Sequence, residues 1–198
     1  MTTENIFPDF TRSIGRAVKE NRLGQKGKVI WLTGLSGSGK TTLAIGIEKA
    51  LFDQGRFAMI LDGDNIRSGI NNNLGFSAED RKENIRRIAE VAKLFADAGI
   101  ITIAAFISPT VEIRQMARGI IGQKDYFEVY INTPLEVCEK RDAKGLYQKA
   151  RKGEISDFTG ISSPFDDPLN PNIIINTDGK SVEECVNRIV EAIQKDIK

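Results

Sequence analysis

Eight consecutive residues, Gly34-Leu35-Ser36-Gly37-Ser38-Gly39-Lys40-Thr41, have the spacing G-x-x-x-x-G-K-[ST], that of a loop that holds phosphate groups. Glycines let the backbone wrap an anion without Cβ clashes and turn successive N–H groups inward. Lys40 supplies a cation to the terminal phosphates, and Thr41 offers a hydroxyl to Mg²⁺. Gly34, Gly37, Ser38, Gly39, Lys40, Thr41 and Thr42 are therefore candidate ligands of a nucleoside triphosphate. The context fits. An apolar run, residues 28–33, reads as a buried strand before the loop, and Thr42 to Leu51 reads as a helix after it. A helix N-terminus adds about half a positive charge at the loop.

A second group is Asp62-Gly63-Asp64-Asn65-Ile66-Arg67. Two carboxylates this close are costly unless a cation or a substrate proton lies between them. One suits hydrated Mg²⁺ and the other suits an attacking hydroxyl. The same residues also read as an Asp-Gly turn with an Asp helix cap. A third group is Phe76 with Arg81 and Asn84, the last two sharing a helix face. A guanidinium fork and an aromatic face suit a bound nucleotide. Arg86 and Arg87 read as solvent-facing. Ser108 follows an apolar strand, where binding a phosphate, capping the next helix and being phosphorylated are all open to it. The chain has no histidine, so proton transfer falls to carboxylates, hydroxyls or lysines.

The elements that must position these groups alternate. Strands are expected at 28–33, 57–61, 100–107, 126–131 and 173–176, with helices at 41–54, after Ser77, over 110–121, from Thr133-Pro134 and after Ser181. A capping box is expected at Ser77 to Asp80, and Thr133 is expected to cap the helix that Pro134 opens. This pattern predicts an α/β fold of P-loop NTPase type: a three-layer sandwich with a central parallel five-stranded sheet, helices on both faces and a lid segment. Residues 1–27 read as an N-terminal arm with a short helix over 13–22, and 28–198 as the phosphate-loop domain. The stretch 143–171 breaks the rhythm. Its lysines and arginines precede Gly153, Gly160, Pro164, Pro168 and Pro171, and it reads as a basic lid.

With 198 residues, 40% apolar and 28% charged content and a net charge of +1, the chain reads as a single globular domain. The near-neutral charge gives no footprint for nucleic acid. No apolar stretch is long enough for a membrane span, and the N-terminus has no basic-then-apolar signal. Cys138 and Cys185 make no metal spacing and read as buried thiols of a cytoplasmic protein.

From about Gly24 to the C-terminus, the ordered set resembles the adenylylsulfate kinase (APS kinase) family. It comprises the phosphate loop, Leu61 to Arg67, Leu74 to Ser77, Asp80 to Arg87, Ala105 to Pro109, Lys144 to Arg151 and Phe158 to Ile161. The resemblance implies transfer of the γ-phosphoryl of ATP to the 3′-hydroxyl of adenylyl sulfate, giving PAPS and ADP. It implies that Gly37 to Thr42 hold ATP. Asp64, Asn65, Arg67, Phe76, Arg81 and Asn84 would contact adenylyl sulfate, with Ile107 and Ser108 bordering it. Lys144, Asp157 and Phe158 would close over it, Phe76 and Phe158 sandwiching the adenine. Ser108 falls at the family's phosphoserine position, although in-line transfer needs no covalent step. Lys40, Asp62, Asp64 and Ser108 are thus the catalytic candidates, and Thr41 and Asp62 the Mg²⁺ candidates. The family is usually homodimeric. The arm over 7–22 departs from the family pattern and lacks a histidine often found there. A different small-molecule kinase would share the phosphate loop without the Asp64–Arg67 and Arg81–Asn84 groups. A nucleotide switch is the other alternative; an Asn/Thr-Lys-x-Asp guanine-reading segment is absent.

Overall fold

A computed structural model describes residues 12–198; the first eleven residues of the expected arm lie outside the described residues. Five parallel strands form one sheet in the order β2-β3-β1-β4-β5: β1 (Lys28–Thr33), β2 (Ala58–Asp62), β3 (Ile101–Ala105), β4 (Tyr126–Ile131) and β5 (Ile173–Ile175). All six residues of β1 are buried, as a strand at the sheet centre with both faces covered must be. Its side chains alternate between two cores. Ile30 and Leu32 join one, with α2 (Lys40–Asp53) and α8 (Val182–Ile193). Val29 and Trp31 join the other, with α4 (Ala78–Asp97) and α5 (Val111–Ile121). Each fully buried aliphatic side chain contributes about 1.5–3 kcal/mol, so two helix layers on one sheet account for the expected three-layer sandwich.

Local signals place the helix starts. Ser181 and Glu184 form a complete capping box on α8. Thr110 caps α5, accepting from the Ile113 N–H at 3.3 Å, so the helix-capping use open to Ser108 is taken by Thr110. At α4 the box is only half made. Ser77 accepts from Asp80 N, but the Asp80 carboxylate turns away to take the Gly75 N–H at 2.9 Å. The expected cap at Thr133 is not made: α6 (Leu135–Arg141) starts at Pro134 without a side-chain cap, because the Thr133 hydroxyl is drawn to the Ser38 carbonyl instead. Strand ends also shift. β3 stops at Ala105 rather than 107, and β2 extends to Asp62.

The arm helix α1 (Arg16–Leu23) is tied back by Arg16, which meets Glu20, Asp125 and the Gly27 carbonyl. Segment 143–171 is folded. α7 (Leu146–Arg151) starts on the Asp142 carboxylate, which accepts from the Tyr147 and Gln148 amides. Tyr147, Phe158 and Cys138 make a small separate cluster with Leu35, Leu135 and Ile161. The segment is therefore rooted on the phosphate loop by apolar contacts. The Tyr147 hydroxyl adds a 2.9 Å bond to the Ser36 carbonyl.

Candidate active site

The phosphate loop, Asp62, Ser108, Thr133 and Thr177 all follow or end parallel strands, so they gather at one edge of the sheet, where α/β folds bind ligands. The loop leaves β1 through Gly34 at φ 151°. A Cβ there would stand 2.6 Å from the Ile131 carbonyl oxygen, and one on Gly37 (φ 71°) would stand 3.0 Å from the Cys138 carbonyl oxygen. Neighbouring backbone thus presses on the loop, and only glycine fits. α2 begins at Lys40, so its N-terminus faces the loop. Ser38 is fully buried, and its carbonyl lies 3.1 Å from the Thr133 hydroxyl and 3.2 Å from the Thr177 hydroxyl. These stand 2.7 Å apart, so the two share their protons between each other and the carbonyl. Arg141 reaches the Gly37 carbonyl and bonds Thr177. Sequence reasoning missed Thr133 in this role, Thr177 and Arg141. For the two threonines the available signal was a polar residue just past a strand; Arg141, the last residue of the helix Leu135–Arg141, had none.

Lys40 is buried, its ammonium donating to the carbonyls of Gly34 at 2.9 Å and Leu35 at 2.6 Å. Burial pushes its pKa down to about 8, against a smaller upward pull from Cys138 and Asp62. A bound polyphosphate restores a counter-charge, so the ammonium is favoured again. Binding of ADP above pH 8 should therefore draw up to about one proton from solution. Titration calorimetry in buffers of different ionisation enthalpy measures it. Equal heats at pH 9 would contradict a depressed Lys40.

Thr41 donates to the Asp62 carboxylate at 2.8 Å, which joins the loop to the end of β2. The other Asp62 oxygen accepts from the Asp64 amide at 3.1 Å and caps α3 (Gly63–Ser68). The capping reading and the cation reading thus describe one residue, using its two oxygens. Asp64 projects from the first turn of α3, exposed, and pairs with Lys144 across 80 residues of sequence.

Beyond Asp64, Phe76 collects two guanidinium groups. Arg67 lies 4.5 Å and Arg81 5.9 Å from its ring centroid. Burial, and then the neighbouring Arg81, holds the Arg67 guanidinium below its usual pKa. Two cations repelling each other in this way favour an anion between them. Arg81 also fastens segment 143–171, donating to the Asp157 carbonyl at 2.6 Å and the Thr159 hydroxyl at 3.1 Å. Asp157 there adopts φ 56°. Phe76 is exposed, whereas Phe158 is 9% exposed with its ring 5.0 Å edge-on from Tyr147. As it stands, Phe158 offers a base little surface.

Three expected residues are held away from this group. Asn84 is buried, its side-chain oxygen accepting from Asn71. Ile107 is half-buried, its carbonyl taking the Thr33 hydroxyl at 2.7 Å. Ser108 is 2% exposed at φ 42°. Its hydroxyl accepts from Trp31 Nε1 and donates to Thr33, both at 3.0 Å. Arg86 is exposed and pairs with Glu83, as a solvent-side arginine does, whereas Arg87 is half-buried and donates to Asn73 at 2.9 Å as well as pairing with Glu83. A groove of about 610 Å³ opens beyond Leu35, between Tyr130, Thr133 and residues 160–165; neither Lys40, Asp64 nor either acceptor-side arginine lines it. Among the described residues, no cluster of three metal-binding acids or thiols occurs, and no helix is long and apolar enough to cross a membrane.

A family model described as adenylylsulphate kinase matches residues 26–176. An adenylyl-sulfate kinase of Phocaeicola vulgatus is 62% identical over 98% of this chain and 95% of its own length. Among solved structures, an APS kinase of Mycobacterium tuberculosis in complex with AMPPNP and APS is similar at a TM-score of 0.82. Its identity is 47%, over 85% of this chain and 98% of that one. A hexameric APS kinase from Thiobacillus denitrificans is similar at a TM-score of 0.66 and 27% identity, over 87% of this chain and 29% of that one.

Proposed function

The chain belongs to the adenylylsulphate kinase family, and from that premise we infer its reaction and propose how its residues divide the work. It transfers the γ-phosphoryl of ATP to the 3′-hydroxyl of adenylyl sulfate, giving PAPS and ADP. The observation that carries the division of labour is the Thr41–Asp62 hydrogen bond. It places the donor loop against the acidic turn from which Asp64 projects.

In the proposed arrangement Gly34, Gly37, Ser38, Gly39, Lys40, Thr41 and Thr42 hold the triphosphate, and Lys40 stabilises charge on the transferring group. Asp64 orients the acceptor hydroxyl and takes its proton. Arg67 and Arg81 receive the anionic phosphosulfate, and Phe76 lies against the base. Asn65 borders the acceptor, and Asn84, buried against Asn71, supports that edge from behind. Lys144, Asp157 and Phe158 close over it from 143–171, a lid that excludes water. Phe158 must swing out of its cluster to sandwich the adenine. Thr41 and Asp62 fit Mg²⁺, since a hydroxyl and one carboxylate beside substrate phosphates are oxygen donors of the kind this ion takes. When bound, the ion would neutralise charge on the phosphates.

Ile107 and Ser108 border the acceptor through their backbone. Ser108 is proposed to hold the strand end in place through Trp31 and Thr33 rather than to carry a phosphoryl group. Ser108→Ala should then cost under about tenfold in turnover, the scale of one neutral hydrogen bond. A loss near the 10⁶-fold typical of removing a nucleophile would reinstate a phosphoserine.

The division into an arm over 1–27 and a kinase domain over 28–198 belongs to the same proposal. So do a homodimer, which light scattering would check, and a cytoplasmic setting, which suits free buried Cys138 and Cys185. The decisive test of function is ADP release with and without adenylyl sulfate. Release that the acceptor does not stimulate would overturn the assignment.

A further inference from the structure

One buried side chain spans two segments that flank the acceptor edge. Arg114, on α5, is 3% exposed. Its Nη1 donates to the Ser108 carbonyl at 2.8 Å, and its Nη2 donates to the Asp166 carbonyl at 2.7 Å. Its Nε lies 3.5 Å from Glu128, which is also buried and also takes Arg118 at 3.0 Å. The guanidinium stands 5.7 Å from the Phe165 ring centroid. Around it the end of the lid is stitched to the β3–α5 turn. The Asp166 amide donates to the Pro109 carbonyl at 2.8 Å, and its carboxylate accepts from the Val111 amide at 3.1 Å. Phe165 stacks on Tyr130 at 6.0 Å, and the Tyr130 hydroxyl donates to Asp167 at 2.6 Å.

A buried ion pair is a poor way to gain stability, because desolvation offsets most of the attraction. What a guanidinium offers, and an ammonium does not, is a rigid planar fork that holds two acceptors at a set spacing. Here the two acceptors are backbone carbonyls of different segments. One belongs to Ser108, whose left-handed φ of 42° persists only where surroundings hold it. The other belongs to the lid strap, nine residues past the Asp157 carbonyl that Arg81 grips.

We propose that Arg114 is a positioning residue for the transfer: it sets the spacing between the acceptor edge at Ile107–Ser108 and the lid strap at Phe165–Asp167. Beyond its apolar root on the phosphate loop, the lid is then held by Arg81 at the mouth and by Arg114 at the strap, and closes in register over the acceptor. This rests on the placing of adenylyl sulfate at that edge.

Arg114→Lys keeps the charge opposite Glu128 and removes the fork. It is expected to lower kcat/KM for adenylyl sulfate about 10–100-fold, the scale of a small misplacement, with KM for ATP unchanged. In the free protein it should speed tryptic cleavage of the lid at Lys144, Lys149, Arg151 and Lys152, all exposed. Asp166→Ala loosens the strap from an exposed site that cannot disturb the core, and should move both readouts the same way by less. Wild-type lid cleavage together with wild-type acceptor kinetics in Arg114→Lys overturns the proposal. If that variant fails to fold, faster lid cleavage with wild-type acceptor kinetics in Asp166→Ala overturns it, because a loosened strap would then leave the acceptor edge untouched. Faster cleavage with only the KM for ATP raised keeps the anchor but overturns its link to the acceptor. Unchanged acceptor KM in Arg67→Ala and Arg81→Ala would locate the failure in the placing of the substrate.

Discussion

Asp64→Ala is expected to cut turnover with ATP and adenylyl sulfate about 10²–10⁴-fold, the range for losing a positioned general base. Asp64 stands two residues past the carboxylate that holds Thr41, so it is near the donor phosphates without contacting the loop. The KM for ATP should therefore change little while kcat falls. Asp64 is exposed and paired with Lys144. An exposed pair is worth about 0–1 kcal/mol, so under the proposed arrangement an acceptor hydroxyl would displace Lys144 from Asp64 at small cost. Asp64→Asn separates the two roles of the carboxylate. It retains shape and hydrogen bonding but cannot take a proton, and should be nearly as slow as alanine if the proton matters. Steady-state kinetics with each substrate varied is the check, and near-wild-type turnover in Asp64→Ala would remove this residue from the mechanism.

Lys40→Met should be equally damaging to catalysis and harmless to the fold. Loss of one preorganised charge at the transferring group costs about 10²–10³-fold. Stability should run the other way. Lys40 titrates near 8 in the folded protein, against 10.5 ordinarily. Holding it charged at pH 7 thus costs on the order of 3 kcal/mol, offset in the variant by the loss of its bonds to the Gly34 and Leu35 carbonyls. The variant should melt no lower than wild type, as expected where function opposes stability. Because the folded pKa is below the unfolded one, the folded state binds fewer protons between about pH 8 and 10.5. Wild-type stability should therefore gain a component that rises across that window, and Lys40→Met should lack it. Denaturant melts at pH 7 and 10 measure both. A variant that melts far lower at pH 7 would mean that the ammonium holds the loop together.

The parts of the site that sequence disclosed are the parts whose chemistry is local. The phosphate loop needs glycines at fixed offsets and a helix behind it. Asp62 and Asp64 lie two residues apart, so their shared turn is written in four letters. Ser181 with Glu184 closes its own capping box. The alternation of buried runs and helical faces was enough for a parallel sheet, since a fully apolar strand such as β1 has to be covered on both sides. Where a residue had two possible partners, local reasoning chose the nearer and sometimes erred. Thr133 was expected to cap α6, yet its hydroxyl bonds the Ser38 carbonyl 95 residues away. Asp80 was expected to complete a box with Ser77, yet it takes Gly75.

By itself, then, the sequence determined a nucleotide-binding loop, a parallel α/β sheet behind it and the family whose ordered motifs the chain shares. Tertiary structure alone decided which of the flagged residues face each other. It joined Asp64 to Lys144, Arg81 to the Asp157 carbonyl 76 residues on, and Ser108 to Trp31 and Thr33 in the interior. It also placed Arg114, which lies outside the stretches that carry the resemblance. The physical reason is that a backbone conformation and a cap are set within a few residues, by sterics and nearby hydrogen bonds. A guanidinium's partners are set by whichever carbonyls the packed sheet and helices deliver to it, and those come from distant segments.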